Sequence, residues 1–125
     1  MLRVAGVMAV VALLAGCGDP APVPVKNRTI GLTLDEYRIL PKVVSAPAGG
    51  LRLIARNRGI LTHNVAIETM PSDPTQQPEV IALTPTLHPG ERAEITFTVQ
   101  PGKYRIACTI SNHDDLGQTG TLIVK

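Results

Sequence analysis

Three side chains carry most of the chemistry this sequence can offer: Cys108, His113 with four residues between them, and His63 far upstream. Between Tyr104 and Cys108, alternation puts Tyr104, Ile106 and Cys108 on one face and charged Arg105 on the other, so the thiol points inward. Between His63 and Glu68, His63, Val65 and Ile67 share a face and Asn64, Ala66 and Glu68 the opposite one, so His63 points inward at the start of its strand. His113 lies in a loop with Ser111, Asn112, Asp114 and Asp115. One thiol and two imidazoles can thus converge at one end of a stranded layer. Residue types alone leave the use of such a set open. A buried Cys is often a small core residue, an inward His is often a hydrogen-bonded structural one, and zinc takes two His and a Cys but wants a fourth strong ligand or a water. Hydrolysis has little to build on. There is no Ser, His and acid set in a nucleophile motif and no phosphate-binding Gly loop, and the acid pairs Asp35 with Glu36 and Asp114 with Asp115 are neighbours that point apart or lie in loops. The chain reads as a non-enzyme.

The elements that must position these residues are short strands. Ile30, Leu32 and Leu34 alternate with Thr29, Gly31 and Thr33; Leu51, Leu53 and Ala55 with Arg52, Ile54 and Arg56; Ile95, Phe97 and Val99 with Glu94, Thr96 and Thr98. Turn signals separate the runs at Pro47 to Gly50, Asn57 to Gly59, Pro89 with Gly90, and Pro101 with Gly102. The one long irregular stretch, Met70 to Pro78, contains three prolines that no helix or central strand accepts. A length of 125 residues suits one domain, and 11 Pro and 11 Gly with 2% aromatics favour short strands and turns over long helices. The fold class expected is all-β, a Greek-key β-sandwich of seven or eight strands, antiparallel. Twelve basic residues against ten acidic ones, net +2, give no one-sided field to steer the chain to nucleic acid. His88, beside Pro89 in a turn, reads as a surface residue; Arg52, Arg56 and Arg58 as a solvated strand face; Tyr37 and Tyr104 as core or edge packing.

The amino terminus has a different character. A basic start, Met1 to Arg3, an apolar run, Val4 to Ala15, and then Leu14, Ala15, Gly16 and Cys17 read as an export signal, too short to span a bilayer as an ordinary anchor. Small residues just before Cys17 resemble the lipobox of bacterial lipoproteins, in which the Cys is acylated and becomes the mature terminus. The organisation expected is a signal peptide over 1–16, a lipidated Cys and Pro-rich tether over 17–28 with Pro20, Pro22 and Pro24, and one domain over 29–125. Lipid on Cys17 would leave Cys108 without a disulfide partner in an oxidising compartment, and an odd thiol there needs a reason.

The domain resembles the cupredoxins, the type 1 blue copper proteins. Their pattern is a His at a strand start followed by Asn, then a loop giving Cys, a His a few residues on and an axial residue further along. This chain has His63 with Asn64, Cys108, His113, then Gly117, Gln118, Thr119 and Gly120 before a closing strand from Thr121 to Val124. The turn Pro89, Gly90, Glu91 into a Thr-rich strand, and Tyr104 shortly before the Cys, also fit. The resemblance implies one type 1 copper held by His63, Cys108 and His113, with Gln118 as the axial ligand. A thiolate and two imidazoles with a weak axial donor serve both Cu(II) and Cu(I), so little need move when an electron passes. Asn64, by the same resemblance, binds no metal but hydrogen-bonds to the Cys loop.

The chain departs from most of the family at two places. Gln118 stands where most members carry Met and resembles the stellacyanin branch; an amide oxygen is the harder donor, favours Cu(II) and lowers the potential. Ser111 and Asn112 replace Pro and Gly, and Asp114 and Asp115 beside His113 would disfavour docking through an apolar face and favour a basic partner. The function implied is electron transfer by an extracytoplasmic protein, lipid-anchored to the cell membrane on the periplasmic or cell-surface side, with redox proteins as partners. Two alternatives differ in class: a copper storage or delivery module, against which the lack of Met-rich or His-rich tracts speaks, and a metal-free interaction domain.

Overall fold

The computed structural model describes residues 16–125; the expected signal peptide lies, except for Gly16, outside the described residues. Ten strands follow in chain order: β1 (Val23–Pro24), β2 (Thr29–Asp35), β3 (Arg38–Leu40), β4 (Val43–Ala46), β5 (Gly49–Asn57), β6 (Ala66–Thr69), β7 (Val80–Leu83), β8 (Arg92–Val99), β9 (Gly102–Ala107) and β10 (Thr119–Val124). They form a six-stranded sheet in the order β1-β4-β10-β9-β6-β7 and a four-stranded sheet in the order β3-β2-β5-β8. The chain passes repeatedly from one sheet to the other, as β4 to β5, β5 to β6, β7 to β8 and β8 to β9. Both sheets are thereby built from distant segments.

Period-two alternation forms the inner faces. In β2, Ile30, Leu32 and Leu34 are buried, and in β5, Leu51, Leu53 and Ala55 are buried while Arg52 and Arg56 are exposed. Opposite them the larger sheet contributes Ile67, Ile106 and Leu122, all fully buried. Each such side chain removed from water contributes about 1.5–3 kcal/mol, and truncating one to Ala costs about 2–5 kcal/mol. On the smaller sheet's edge, β8 is weaker: Ile95 and Phe97 stay half-buried, and only Val99 closes fully.

Three features differ from the sequence reading. The strand count is ten rather than seven or eight, because two- to four-residue pieces such as β1 and β3 carry too few residues to show alternation. The sheets are mixed rather than antiparallel: β4 runs parallel to β1 and to β10, and β2 parallel to β5. Part of the segment read as a tether is paired, since Val23–Pro24 lies alongside Val44 and Ser45 at the sheet edge. No helix among the described residues is long and apolar enough to cross a membrane.

Candidate metal centre

Register puts the chemistry at one end of the larger sheet. Ala107, the last residue of β9, sits opposite Ala66, the first of β6, and opposite Thr119, the first of β10. Cys108 therefore leaves the ladder at the level where Gln118 enters it, and His63 arrives three residues before β6. Cys108 N donates to Gln118 O at 3.1 Å, and Gln118 N donates to His113 O at 3.0 Å. These bonds fold residues 109–117 into a tight loop over the sheet end. Two positions in it have left-handed backbone. Ser111 (φ 51°) takes a conformation more usual for Gly, and Gly117 (φ 112°) is required, because a Cβ there would meet the Tyr37 carbonyl oxygen at 3.1 Å.

The loop brings the three expected side chains together. One donor atom each from His63, Cys108 and His113 lies within 4.8 Å of the others. Cys108 Sγ is 3.7 Å from His113 Nδ1, and the His63 and His113 rings meet edge to face at 5.1 Å between centroids. His63, Cys108 and Gln118 are fully buried, whereas His113 is half-buried. His63 belongs to no long strand. A single bridge to Leu87 places it, with His63 N donating to Leu87 O at 3.0 Å and Leu87 N returning a bond of 2.8 Å.

Three buried polar atoms of the site residues lack hydrogen-bond partners. Both ring nitrogens of His63 and Oε1 of Gln118 are buried with no hydrogen-bond partner, each of which ordinarily costs about 1–3 kcal/mol. The Gln118 amide is oriented by its other end: Nε2 donates to Asp35 O at 2.8 Å and Arg38 O at 3.0 Å, and only an NH2 group can satisfy two carbonyls. Burial, then the neighbouring His113, hold the pKa of His63 below its ordinary value, against the opposing pull of Glu36, so the ring is kept as a neutral nitrogen donor. A thiol, two imidazoles and an orphaned amide oxygen fit a type 1 copper site in donor type and number.

Asn64 and the acidic loop residues lie around this set. Asn64 Nδ2 donates to Thr109 Oγ1 at 2.8 Å, and Thr109 N donates to Asn64 Oδ1 at 2.8 Å, joining the His63 segment to the residue after Cys108. Asp114 does not face solvent as a free charge. Arg105 bridges it at 3.0 Å and Glu68 at 2.9 Å, and the Arg105 hydrogen bond holds the Asp114 carboxyl below its usual range. Asp115 alone remains exposed and unbridged of the two acids expected beside His113. His88 is a surface residue paired with Glu91, and Arg52 pairs with Glu94 on the exposed strand face. Cys17 is exposed, and both it and Cys108 are free thiols.

Several residues of the site give no sign in the sequence. The β2–β3 turn, Glu36 with Tyr37, crosses from the smaller sheet to cover the cluster. Tyr37 adopts φ 60°, costly for a bulky residue at about 1–2 kcal/mol, and its ring packs edge-on against His113 at 5.6 Å. Tyr37 was expected only as packing. Glu36 Oε1 lies 3.7 Å from His63 Nε2. Buried Asn57 ties down the approach to His63, donating to Leu61 O at 2.8 Å and Leu87 O at 2.9 Å. The sequence signal available for Asn57 was a turn, and for Glu36 and Tyr37 there was none, since their partners, Ile60, Leu61, His63 and His113, lie in distant segments of the chain.

A two-layer β-sandwich with Cys, His and His at one end of a sheet defines a class: the cupredoxin fold. The family model described as "Cupredoxin-like domain" matches residues 6–124, and the chain belongs to that family. A Na-dithionite reduced auracyanin from the photosynthetic bacterium Roseiflexus castenholzii is 26% identical with TM-score 0.68, covering 78% of this chain and 97% of its own. Auracyanin B is 24% identical with TM-score 0.69, covering 86% and 93%. Auracyanin A from the green thermophilic photosynthetic bacterium Chloroflexus aurantiacus is 22% identical with TM-score 0.60, covering 82% and 99%. No curated protein matches the sequence significantly.

Proposed function

We propose that this protein is a type 1 copper electron carrier and not an enzyme, with the metal held by His63, Cys108 and His113 and Gln118 Oε1 as the weak axial donor. The observation that supports it is the meeting of one donor atom from each of three side chains within 4.8 Å, together with the buried, unpartnered atoms of His63 and Gln118. Copper would supply a one-electron couple between Cu(II) and Cu(I). The protein's part is to keep the donors still in both states. Cys108 is held from behind by the β9–β10 ladder, His63 by the Leu87 bridge, and Gln118 by the two carbonyls of the β2–β3 turn. Asn64 locks the two ligand segments to each other through Thr109. His113 is the half-buried member of the set, and exposed Leu116 follows it in the loop, so the route for an electron to a partner protein runs through that imidazole.

The same reading places the protein outside the cytoplasm, tethered by lipid on Cys17, with residues 17–28 leading to the domain. Exposure of Cys17 supports this, as it leaves the thiol accessible for acylation. With Asp114 bound to Arg105, a redox partner meets one free carboxylate beside His113, Asp115, rather than a paired acidic patch. The test is the visible spectrum of the purified protein titrated with Cu(II). An intense thiolate-to-copper band that saturates at one equivalent, and is lost in Cys108→Ser, is expected; a colourless protein, or a Cys108→Ser variant as coloured as the parent, refutes the assignment.

A further inference from the structure

The β2–β3 turn delivers a carboxylate to the back of a ligand. Glu36 Oε1 accepts hydrogen bonds from Ile60 N at 2.6 Å and Leu61 N at 3.1 Å, and this same oxygen lies 3.7 Å from His63 Nε2. The approach is built into the chain opposite. A Cβ on Gly59 would fall 2.1 Å from Glu36 Oε1 and 2.9 Å from its carboxyl carbon, so the glycine leaves the space in which the carboxylate sits. His63 Nε2 has no hydrogen-bond partner, although it is fully buried. Two backbone donors, a glycine with no room for a side chain and an unpartnered ring nitrogen thus agree on one position for the charge.

We propose that Glu36 is a positioning residue for His63: its carboxylate faces the Nε2–H of the imidazole as acceptor, fixes the tautomer that leaves Nδ1 as the metal donor, and strengthens that donor toward Cu(II). The proposal rests on His63 being a copper ligand. A neutral imidazole carries one N–H and one lone pair, and the partner of the N–H decides which nitrogen is free. A carboxylate in that place raises the basicity of the ring and stabilises the more positive oxidation state of a bound metal over the less positive one. Removing such a partner costs about 10–100-fold in metal affinity. The change falls more heavily on Cu(II) than on Cu(I), so the potential rises when the charge is removed.

Glu36→Gln separates this role from a structural one. The Gln carbonyl oxygen still accepts from Ile60 and Leu61, and only the charge is lost. The wild-type protein is first loaded with Cu(II) and its band recorded, which tests the copper site itself. A colourless wild type refutes the site, and with it this proposal. With the band present, Glu36→Gln should keep the colour and the thermal midpoint of the metal-free protein, while Cu(II) affinity falls about tenfold relative to Cu(I), equivalent to a rise of about 59 mV by voltammetry. A lowered midpoint with an unchanged potential would show a brace for the Asn57 to Leu61 turn and overturn the proposal. Nitrogen-15 spectra of the Cu(I) wild type give an independent reading that needs no variant. The proton of His63 is expected on Nε2, and a proton on Nδ1 would overturn the tautomer assignment.

Discussion

Replacing Gln118 with Met exchanges the proposed axial amide for a thioether and disturbs the site in two measurable ways. The Gln118 side chain gives hydrogen bonds of 2.8 and 3.0 Å to Asp35 O and Arg38 O. Losing both costs about 2 kcal/mol at roughly 1 kcal/mol each, and removing the unpartnered Oε1 returns about 1 kcal/mol of it in the metal-free protein. The metal-free variant should therefore lose about 1 kcal/mol, a fall of several degrees in thermal midpoint for a domain of this size. With copper bound, a hard donor is traded for a soft one, Cu(II) loses stabilisation relative to Cu(I), and the potential rises. A tenfold change in relative affinity corresponds to about 59 mV for one electron, and a residue in direct contact should give at least that. Thr119→Ala is the control, because Thr119 is held in the ladder opposite Ala107 and alternation turns it away from the side on which Gln118 lies. Voltammetry and thermal melting of both variants are required. An unchanged potential in Gln118→Met, or a larger shift in Thr119→Ala, refutes the assignment of Gln118 as axial donor.

Three further outcomes follow from the same geometry. Asn64→Ala removes both bonds to Thr109, so the protein should lose about 1–3 kcal/mol in denaturant titration and release copper to a chelator faster than the parent; equal release rates would separate Asn64 from the site. Arg105→Ala leaves Glu68, only 7% exposed, without its cation and frees Asp114; a loss of about 1–2 kcal/mol is expected, discounted because Arg105 itself is about a third exposed, and an unchanged midpoint would show the bridge to be energetically idle. Intact-mass analysis of the membrane fraction should find a chain beginning at acylated Cys17, whereas an unmodified protein free in the medium would remove the tether.

The parts of the molecule legible in the sequence are those set by local period. Alternation in β2 and β5 marked the buried face residue by residue, and the parity of Tyr104, Ile106 and Cys108 turned the thiol inward. His63 was read as opening a strand; it lies three residues ahead of β6, in a bridge to Leu87, since Asn57 and the Leu87 segment rather than a ladder fix that stretch. Parallel pairing of β2 with β5, and of β4 with β10, left no trace in the sequence because either direction buries the same alternate residues. The pairing of Asp114 with Arg105 was likewise hidden. Nothing local distinguishes a loop acid that faces a partner from one that a strand arginine has already taken.

The hairpin turn between β2 and β3 spans four residues, and each of them reaches the site. Asp35 and Arg38 hold the Gln118 amide through their carbonyls, Glu36 stands behind His63, and Tyr37 covers His113 and limits position 117 to glycine. None of the three clustered donors belongs to that turn's sheet. The geometry of the site is thus sensitive to how one layer sits on the other, and a substitution deep between the layers, remote from any ligand, can retune it by letting the sheets slide. The same arrangement constrains transplantation. A Cys-to-His loop grafted from a relative arrives with its own donors but without the opposing turn they were shaped against, so loop and hairpin have to be exchanged as one mechanical part.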